Sequence, residues 1–539
     1  MASISLKEIA KNMKVNSFKF SDMNTKLFAG SSDGTFSIKN FYNRTLNQDY
    51  YIFKNKADFD SKINGILTEY NNDLSSISIG FENGLENENI IFPASIIKSP
   101  ITIYADRCVS ALAMFKKTNL EDYSNDIFCN MPNIETFKQV MAFTNIKTLR
   151  KELFKNNYKV TSLHAAFQTC YELQHVDEEI FYNMPLLENA LGLFYFNTKL
   201  KNIPEKIFFK NTKITTIENL LCNSGILSLP ENLLNYNKNL ISVNKAFAQL
   251  SITNIPESLF FNNPNIEDAS FCFGRNIELN NIPEKLFFYN KKLITVSNCF
   301  CGVLITSNKL ENYNKIKKIP ENLFINNELL EDVSWCFSGT QIEYISSNLF
   351  KNNVNLKNVS KCFNYTKLKE VPLGLFDNNP NIEDASFCFN YSQQLEIIPE
   401  GLFSNKQKLK NISSCFQITN VKIVPQNLLK NSANIEDASY LFHNVYDTTT
   451  VDEHLFDDNL KIKTFKQCFY NDSNITSKIP VVWDIEGVDL TKYAYNCTKA
   501  LNYNDIPSNA RGIMENNNYL EENIDNDCYT DCLGDEDLE

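Results

Sequence analysis

The residues of this sequence that could do chemistry are few and far apart. The pattern G-x-S-x-G occurs at 30–34, where Ser32 would be the nucleophile of a hydrolase. A nucleophile elbow needs a helix after the serine, but the residues that follow, TFSIKNF, are typical of a strand. We therefore interpret the pattern as a hairpin turn around Asp33 and Gly34.

The histidines have no spacing that suggests a metal or catalytic site. The four of them are His164, His175, His443 and His454. None forms an H-x-H or H-E-x-x-H motif, and no phosphate-binding loop, dinucleotide fingerprint or CxxC pair is present. We interpret the histidines as surface or helix-end residues. The sequence predicts no catalytic residues, no bound metal and no cofactor, and hence no enzyme.

Seven of the fifteen cysteines share one repeated position, where other repeats carry Ala or Leu. They are Cys272, Cys299, Cys336, Cys362, Cys388, Cys415 and Cys468. Interchange with Ala and Leu indicates a small, buried, apolar site that suits a reduced thiol. Disulfides between neighbouring repeats and metal binding are the alternatives.

The repeated Glu-Asp pairs, such as Glu267 and Asp268, resemble paired catalytic carboxylates. A catalytic pair is needed once, whereas these pairs recur, so we interpret them as acids at helix N-termini. The serines that follow, such as Ser270, recur in the same way and are interpreted as structural. Cys528 and Cys532 lie among acids near the end of the sequence, and we interpret that segment as a solvated tail.

The whole pattern depends on a repeat of 26 or 27 residues. A first apolar position recurs at Phe128, Phe154, Phe181, Phe208, Leu234, Phe260, Phe287, Phe324, Phe350, Phe376, Phe403, Leu429 and Phe456. A second recurs thirteen residues later, from Met141 to Phe469, and extends in phase to Phe115 and Tyr495. A fixed period of this length predicts a solenoid, here of about fifteen units.

Each unit has three parts. In NPNIEDASFCF, the residues Ile266, Ala269, Cys272 and Phe273 form a helical stripe, which predicts a short helix. The next motif, Leu-x-x-Ile-Pro, predicts a short parallel strand ended by proline. The residues after that proline, PEKLFF at 283–288, predict a second short helix. The predicted fold is an α/β repeat solenoid with a short parallel strand and short helices in each unit.

Three regions follow from this reading. Residues 1–100 predict a small β-rich N-terminal domain, with a helix at 5–13, that could serve for attachment or oligomerisation. Residues 101–510 predict the solenoid, including an insertion, VLITSNKLENYNKIKK, that is either a functional loop or neutral drift. Residues 511–539 predict an acidic, disordered tail.

Charge and hydropathy narrow the partners. The net charge is −12 and we find no basic run, so nucleic acid is not an expected partner. No apolar run approaches the ~20 residues of a membrane span, and the N-terminus lacks the pattern of a secretory signal. We therefore expect a protein made in the cytosol that does not insert into membranes.

The unit L-x-x-I-P-E-x-L-F-x-N-N-x-x-I-x-x-A-S-x-C-F resembles the BspA-like branch of the leucine-rich repeats, over roughly residues 102–508. In that family the repeats occur in surface adhesins, and similar arrays occur in fibre or tail proteins of bacteriophages. The resemblance implies recognition of proteins or glycans by a non-enzymatic surface.

We expect a virion component that binds a protein or glycan receptor or other virion proteins. A bacterial cell-surface adhesin exported without a cleaved signal, and a hydrolase carried by a binding array, are the alternatives. The variable, outward residues of the predicted strands are the expected contacts. They are Lys201, Thr253, Glu343, Tyr344, Lys369 and Glu396.

Overall fold

Two columns of stacked aromatic rings run through the centre of the array. The computed structural model describes residues 41–43, 48–70, 76–81, 90–93, 101–105, 107–125, 127–302, 305–306, 309–310 and 314–512. Phe260 stacks on Phe287 at 5.9 Å between ring centroids, and Phe273 stacks on Phe300 at the same distance. Both repeated positions are buried in one continuous core, as predicted.

Regular secondary structure is sparse. The strands are β1 Phe41–Asn43, β2 Gln48–Phe53, β3 Ser76–Phe81, β4 Ile101–Tyr104, β5 Thr148–Leu149, β6 His175–Val176, β7 Ile305–Thr306, β8 Lys309–Leu310, β9 Ile423–Val424 and β10 Thr450–Val451. The helices are α1 Lys56–Tyr70 and the 3-10 helices Lys151–Phe154 and Tyr503–Asp505. Most of each coil consists of turns.

The segment predicted as the first helix is a ladder of turns, so that prediction is wrong. Alternate N–H groups of the segment donate to the next coil rather than to carbonyls four residues back. The bonds of one coil are Ala269 N to Thr295 O (3.0 Å), Phe271 N to Ser297 O (2.7 Å) and Phe273 N to Cys299 O (2.9 Å). The N–H groups between them close turns within their own coil, as Cys272 does to Ala269 O at 3.2 Å. We call this part of each coil the turn ladder.

A short polar residue starts the turn ladder in every coil. Asp268 makes an isolated parallel bridge to Thr295 and accepts the N–H of Ser270 on its side chain at 2.7 Å. This side-chain turn replaces the role at a helix N-terminus that the sequence predicted for the acids. The bridged residues are Ser110, Thr136, Ser162, Asn189, Thr216, Ser242, Asp268, Thr295, Asp332, Asn358, Asp384, Asn411, Asp437, Thr464 and Asp489. This series gives fifteen coils within the part of the chain that the structure describes.

The turn ladder forces two residues of most coils into the left-handed region. Phe271 has φ 55° and Arg275 has φ 59°, and glycine takes the equivalent positions at Gly192 and Gly339. In this region each residue other than glycine is strained by roughly 1–2 kcal/mol. The inter-coil hydrogen bonds offset this cost in every coil.

The Leu-x-x-Ile-Pro segments lie side by side in parallel, as predicted, but with few hydrogen bonds. β5 pairs with β6 and β9 pairs with β10, both in parallel. Isolated parallel bridges join Lys318 to Tyr344 and Glu370 to Ile397. The second predicted helix, at 283–288, is a further run of turns, in which Leu286 N–H donates to Pro283 O at 3.3 Å.

A column of buried asparagines joins the coils at the corner after this second run of turns. Nδ2 of Asn263 donates to Leu234 O at 3.0 Å and to Asn237 O at 2.9 Å. The members are Asn157, Asn211, Asn237, Asn263, Asn290, Asn327, Asn353, Asn379 and Asn459, all fully buried. Each satisfies main-chain carbonyls of the preceding coil, which explains the repeated asparagine.

The cysteines of the repeated position are free thiols buried in the core, as predicted. Burial raises the pKa of each of them, with Cys272 and Cys299 raised well above the usual value. The thiols are therefore neutral and unreactive in the folded protein. None of the described cysteines forms a disulfide.

A mixed α/β unit covers the start of the array. Its sheet has the order β1-β2-β3-β4, in which β1 is antiparallel to β2 and the other pairs are parallel. Helix α1, which the sequence reading missed, is capped by Asn55, whose Oδ1 accepts the N–H of Asp58 at 3.0 Å. Phe59 of α1 contacts Phe92, and Phe92 stacks on Phe115 of the first coil at 4.5 Å.

The sheet of this unit continues past residue 100 through β4, and its core is continuous with that of the array. An attachment or oligomerisation role for residues 1–100 stays a prediction. The predicted helix at 5–13, the turn at 30–34 and the tail beyond residue 512 lie outside the described residues.

Within the insertion, β7 pairs with β8 in antiparallel orientation. It leaves the array after Gly302 and returns at Asn314, whose Nδ2 donates to Phe300 O at 2.7 Å. A Cβ on Gly302 would lie 2.3 Å from Gly339 O and 2.6 Å from Asn314 N, so only glycine fits this junction. The junction therefore keeps the coil closed across the insertion.

The last coil departs from the predicted phase. Phe469 N–H donates to Tyr493 O, so Tyr493 occupies the position of the cysteines and Ala494 that of the inner phenylalanine. Tyr493 is fully buried, whereas Tyr495, predicted as a core residue, is 36% exposed. The step to this coil, from Thr464 to Asp489, is 25 residues.

The buried asparagine column is testable at Asn263. We expect Asn263→Ala to lower the free energy of unfolding by about 1–3 kcal/mol, because Leu234 O and Asn237 O each lose one of their two hydrogen-bond donors. Asn265 is the matched control, since its Nδ2 donates to one exposed carbonyl, Lys238 O. Asn265→Ala should cost less than about 1 kcal/mol. Urea unfolding followed by circular dichroism measures both, and equal effects would contradict the role of the column.

The left-handed positions give a second test. Gln467 has φ 54°, so Gln467→Gly should stabilise the protein by about 1 kcal/mol through release of backbone strain. Gln174 lies in an extended segment, with its N–H bonded to Lys147 O at 2.9 Å. There, Gln174→Gly should destabilise by about 0.5–1 kcal/mol. Melting temperatures that fall for both variants would show that the left-handed backbone is not strained.

Candidate binding surface

The extended segments form one outward surface of the array, which we call the strand face. Each coil contributes the two residues between the buried Leu and Ile of its Leu-x-x-Ile segment. In the coil of Leu368 these are Lys369 and Glu370, both exposed. The main chain of this face is linked between coils, for example by Glu396 N to Lys369 O at 2.9 Å.

All six residues predicted as contacts are exposed on the strand face. Glu343, Tyr344, Lys369 and Glu396 lie on three successive coils. Lys201 and Thr253 lie on earlier coils, two coils apart, and are separated from the others by two further coils. Their role in binding stays a prediction, but the fold brings four of them into one patch.

Apolar side chains complete this patch, and sequence reasoning missed two of them. Tyr344 is 55% exposed, Ile397 56% and Ile423 58%. They occupy the second outward position of their coils, between charged neighbours. Large apolar side chains that are more than half exposed and surrounded by charges are typical of protein interaction sites. Their common repeat position could have identified Ile397 and Ile423 from the sequence.

The first outward position alternates in charge along the patch. It is Lys317, Glu343, Lys369, Glu396 and Lys422 in five successive coils. Glu396 and Lys422 form an ion pair. Exposed pairs of this kind add at most about 1 kcal/mol, so the alternation has little effect on stability.

The turn ladder presents a second surface, rich in aromatic and cationic side chains, which we call the turn face. Nζ of Lys361 lies 4.3 Å from the ring centre of Trp335 and 5.0 Å from that of Phe387. Tyr365 stacks on Tyr391 at 4.4 Å between ring centroids. In these contacts the ring faces are covered by side chains of neighbouring coils. Much of the turn face therefore packs against itself. Sequence reasoning missed it because it assigned the segment to a helix.

The histidines divide between surface and interior. His175 and His454 are exposed, as predicted, and His454 pairs with Asp457 at 2.9 Å. The prediction is wrong for His443, which is buried and stacks on Tyr470 at 4.7 Å. Burial lowers the pKa of His443 to about 4, so this side chain is neutral at pH 7. The histidines lie in separate coils and form no joint site.

Asp472 is a fully buried acid near the end of the array. It occupies the position where Asn276 accepts the N–H of Leu250 and donates from Nδ2 to Phe247 O. Oδ1 of Asp472 likewise accepts the N–H of Val445 at 2.7 Å, but Oδ2 is buried without a described partner. Burial raises the pKa of Asp472 well above its usual value. Burial therefore favours the protonated form of this carboxyl.

A surface pocket among the described residues lies between two successive coils. It is shallow, with a volume of about 180 Å³, and is lined by Glu179, Tyr182, Lys206 and Phe209, among others. Small-molecule sites have volumes of about 300–1,000 Å³. No group of three metal-binding side chains occurs among the described residues. In the same part of the chain, no helix is long and apolar enough to cross a bilayer.

No family model matches the chain, and no curated protein matches it. It is similar to the chain of a TLR13–ssRNA13 complex, with a TM-score of 0.37 and 17% identity over 67% of this chain and 49% of that one. This chain therefore spans about half the length of that structure. A second similar structure is a chain of a Toll–Spatzle complex, described as a hub in Drosophila development and innate immunity. Its TM-score is 0.35 and its identity is 13%, over 75% of this chain and 61% of that one.

The leucine-rich repeat domain of APL1 gives a TM-score of 0.40 and 13% identity, over 71% of this chain and 86% of that domain. The similar structures thus include a leucine-rich-repeat protein. Similarity at TM-scores of this size does not indicate a function for this chain. The assignment of a repeat solenoid rests on the coil geometry described above.

The buried acid predicts a pH dependence. Because the folded pKa of Asp472 is raised, the folded state keeps a proton that the unfolded chain releases above about pH 4. Stability therefore falls as pH rises from about 4 toward the folded pKa, by up to about 1.4 kcal/mol per pH unit from this group. Asp472→Asn should remove this loss and restore the donor to the preceding coil.

We therefore expect Asp472→Asn to raise the melting temperature at pH 7, by a margin that shrinks toward pH 4. The reciprocal variant, Asn276→Asp, should introduce the same pH dependence in a coil that lacks it. Differential scanning calorimetry between pH 4 and pH 8 measures both. A constant difference between Asp472→Asn and the wild type would show that Asp472 is ionised in the fold.

Proposed function

We propose that this protein is a non-enzymatic binding protein that recognises a protein or glycan through its strand face. The observation that carries the proposal is the patch of Tyr344, Ile397 and Ile423, which are each more than half exposed on an ordered surface. The core fills the interior of the coils. Side chains at regular spacing along the outer surface are therefore the groups that can contact a partner.

We further propose that the protein is a component of a bacteriophage particle, in its tail, fibre or head decoration. This finer assignment is supported by the resemblance of the repeat unit to BspA-like repeats, similar arrays of which occur in phage fibre or tail proteins. Its partners would then be a receptor on the host and other virion proteins. A bacterial cell-surface adhesin is the second candidate, because the same resemblance includes adhesins.

The location is tested by electron microscopy of particles and cells from the producing culture, with the protein labelled by antibody. We expect label on particles. Label on intact cells that protease shaving removes would support the adhesin instead. Protein found only as a soluble monomer would contradict both. The hydrolase alternative predicts an activity that is lost on Ser32→Ala or on deletion of residues 1–100.

Recognition is tested with purified protein and intact cells of the host. Tyr344→Lys should weaken cell binding at least about tenfold, because a central apolar contact is lost and a charge is introduced. Tyr158→Lys is the matched control, because Tyr158 is 54% exposed but lies beside the asparagine column, away from the strand face. Equal binding by both variants would exclude the strand face as the contact surface.

A further inference from the structure

Four successive coils of the strand face carry a pattern that is complementary to itself. Their first outward residues are Glu343, Lys369, Glu396 and Lys422, which alternate in charge. Their second outward residues are Tyr344, Glu370, Ile397 and Ile423, of which three are apolar and more than half exposed. The charges and the apolar side chains therefore form two parallel rows.

Ion pairing within the strand face involves only half of these charges. Glu396 pairs with Lys422, whereas Glu343 and Lys369 form no ion pair with any other described residue, although they lie on adjacent coils. Lateral pairing within the array does not account for the whole alternation. The charges of Glu343 and Lys369 are available to a partner.

We propose that this part of the strand face binds a second copy of the chain in antiparallel orientation. The proposal rests on the proposed function of the strand face as a binding surface and names a partner for it. The twofold axis runs along the strand direction, between the coils of Lys369 and Glu396. The contacts, each formed twice, are Glu343 with Lys422, Lys369 with Glu396, Tyr344 with Ile423, and Glu370 with Ile397.

The charges select this orientation and the apolar row selects this register. In a parallel arrangement the twofold axis runs along the array, so each first outward residue faces the second outward residue of the same coil in the copy. Glu396 and Lys422 would then face Ile397 and Ile423, and neither charge would gain an opposite charge. A shift of one coil in the antiparallel arrangement opposes like charges. A shift of two coils in one direction restores opposite charges but places Tyr344 against Glu370. In the other direction it faces Glu396 with Lys422 but leaves Glu343 and Lys369 without a charged partner. Only the proposed register joins opposite charges and also places Tyr344 against Ile423.

The area indicates a weak dimer. At about 4.8 Å per coil, four coils give a contact roughly 20 Å long. Two outward residues per coil give the contact a width of roughly 10 Å, so it covers about 200 Å² per partner, well below the about 800 Å² of a standard interface. We expect dissociation constants in the micromolar range or weaker, and further weakening by salt, since exposed ion pairs contribute. This surface is distinct from the N-terminal region, which the sequence suggested for oligomerisation.

The decisive experiment is sedimentation equilibrium of the purified full-length chain with charge-reversal variants. Glu343→Lys and Lys422→Glu should each weaken the dimer at least about tenfold, because each opposes like charges across the axis. The double variant should restore it, because the two exchanged charges would again be opposite across the axis. Residues 343 and 422 are three coils apart in one chain, so rescue within a chain is excluded.

Cross-linking provides an independent measurement. Glu343→Cys combined with Lys422→Cys should give a disulfide-linked dimer on mild oxidation, in a background where Cys528 and Cys532 are Ser. The two positions are about 14 Å apart within one chain, too far for an internal disulfide. Glu343→Cys with Glu396→Cys is the matched control and should not cross-link, because these residues do not face each other in the proposed register.

A wild-type chain that stays monomeric at several hundred micromolar, or a double variant without rescue, would overturn the proposal. Dimerisation is measured on the pure chain, whereas the proposed function is measured on cells and particles. A monomeric chain whose binding to cells is still lowered by Tyr344→Lys would reject the dimer and keep the proposed function. A dimeric chain that binds neither cells nor particles would support the dimer and reject the proposed function.

Discussion

Every coil of this protein is held to the next by main-chain hydrogen bonds of the turn ladder, and these bonds depend on one short polar side chain per coil. Asp268 turns the chain by accepting the N–H of Ser270, which directs the following N–H groups along the array. The equivalent residue is Ser, Thr, Asn or Asp in all fifteen coils. Longer side chains could not make the same turn with their own backbone.

Direction is a consequence of this geometry. In the turn ladder each coil donates to the coil that follows it, as Phe273 does to Cys299 O, whereas the asparagine column donates to the coil before, as Asn263 does to Leu234 O. The two sets tie each coil to both neighbours on different sides of the aromatic core. The insertion after Gly302 is tolerated because both sets close normally across it, with Gly302 N–H donating to Ser338 O.

The same architecture determines where binding can occur. Side chains of the turn face contact one another, as Lys361 does with Trp335 and Phe387, so that surface stabilises the array. Side chains of the strand face point outward from segments with few internal partners. Residues that lie 26 or 27 positions apart in the sequence become neighbours there. Recognition therefore depends on the order of the coils rather than on any local motif.

The sequence by itself determined the period, the two buried columns, the burial of the cysteine position and the exposure of the candidate contacts. These features follow from which positions are buried, and the residue type at each position, such as Phe273 or Cys272, indicates burial directly. The conformation of the backbone cannot be deduced in this way. Ile266, Ala269, Cys272 and Phe273 would face inward in a helix and in a turn ladder alike.

Only the tertiary structure decided between the two, because the carbonyls that accept the N–H groups of this segment belong to the next coil, 26 residues away. The same reason explains why the phase of Tyr495 was missed, since the coil after Phe469 is shorter and its neighbours decide which side chain turns inward. Local pattern specifies burial. The partner of each backbone group is chosen by coils that are distant in sequence, and that choice requires the fold.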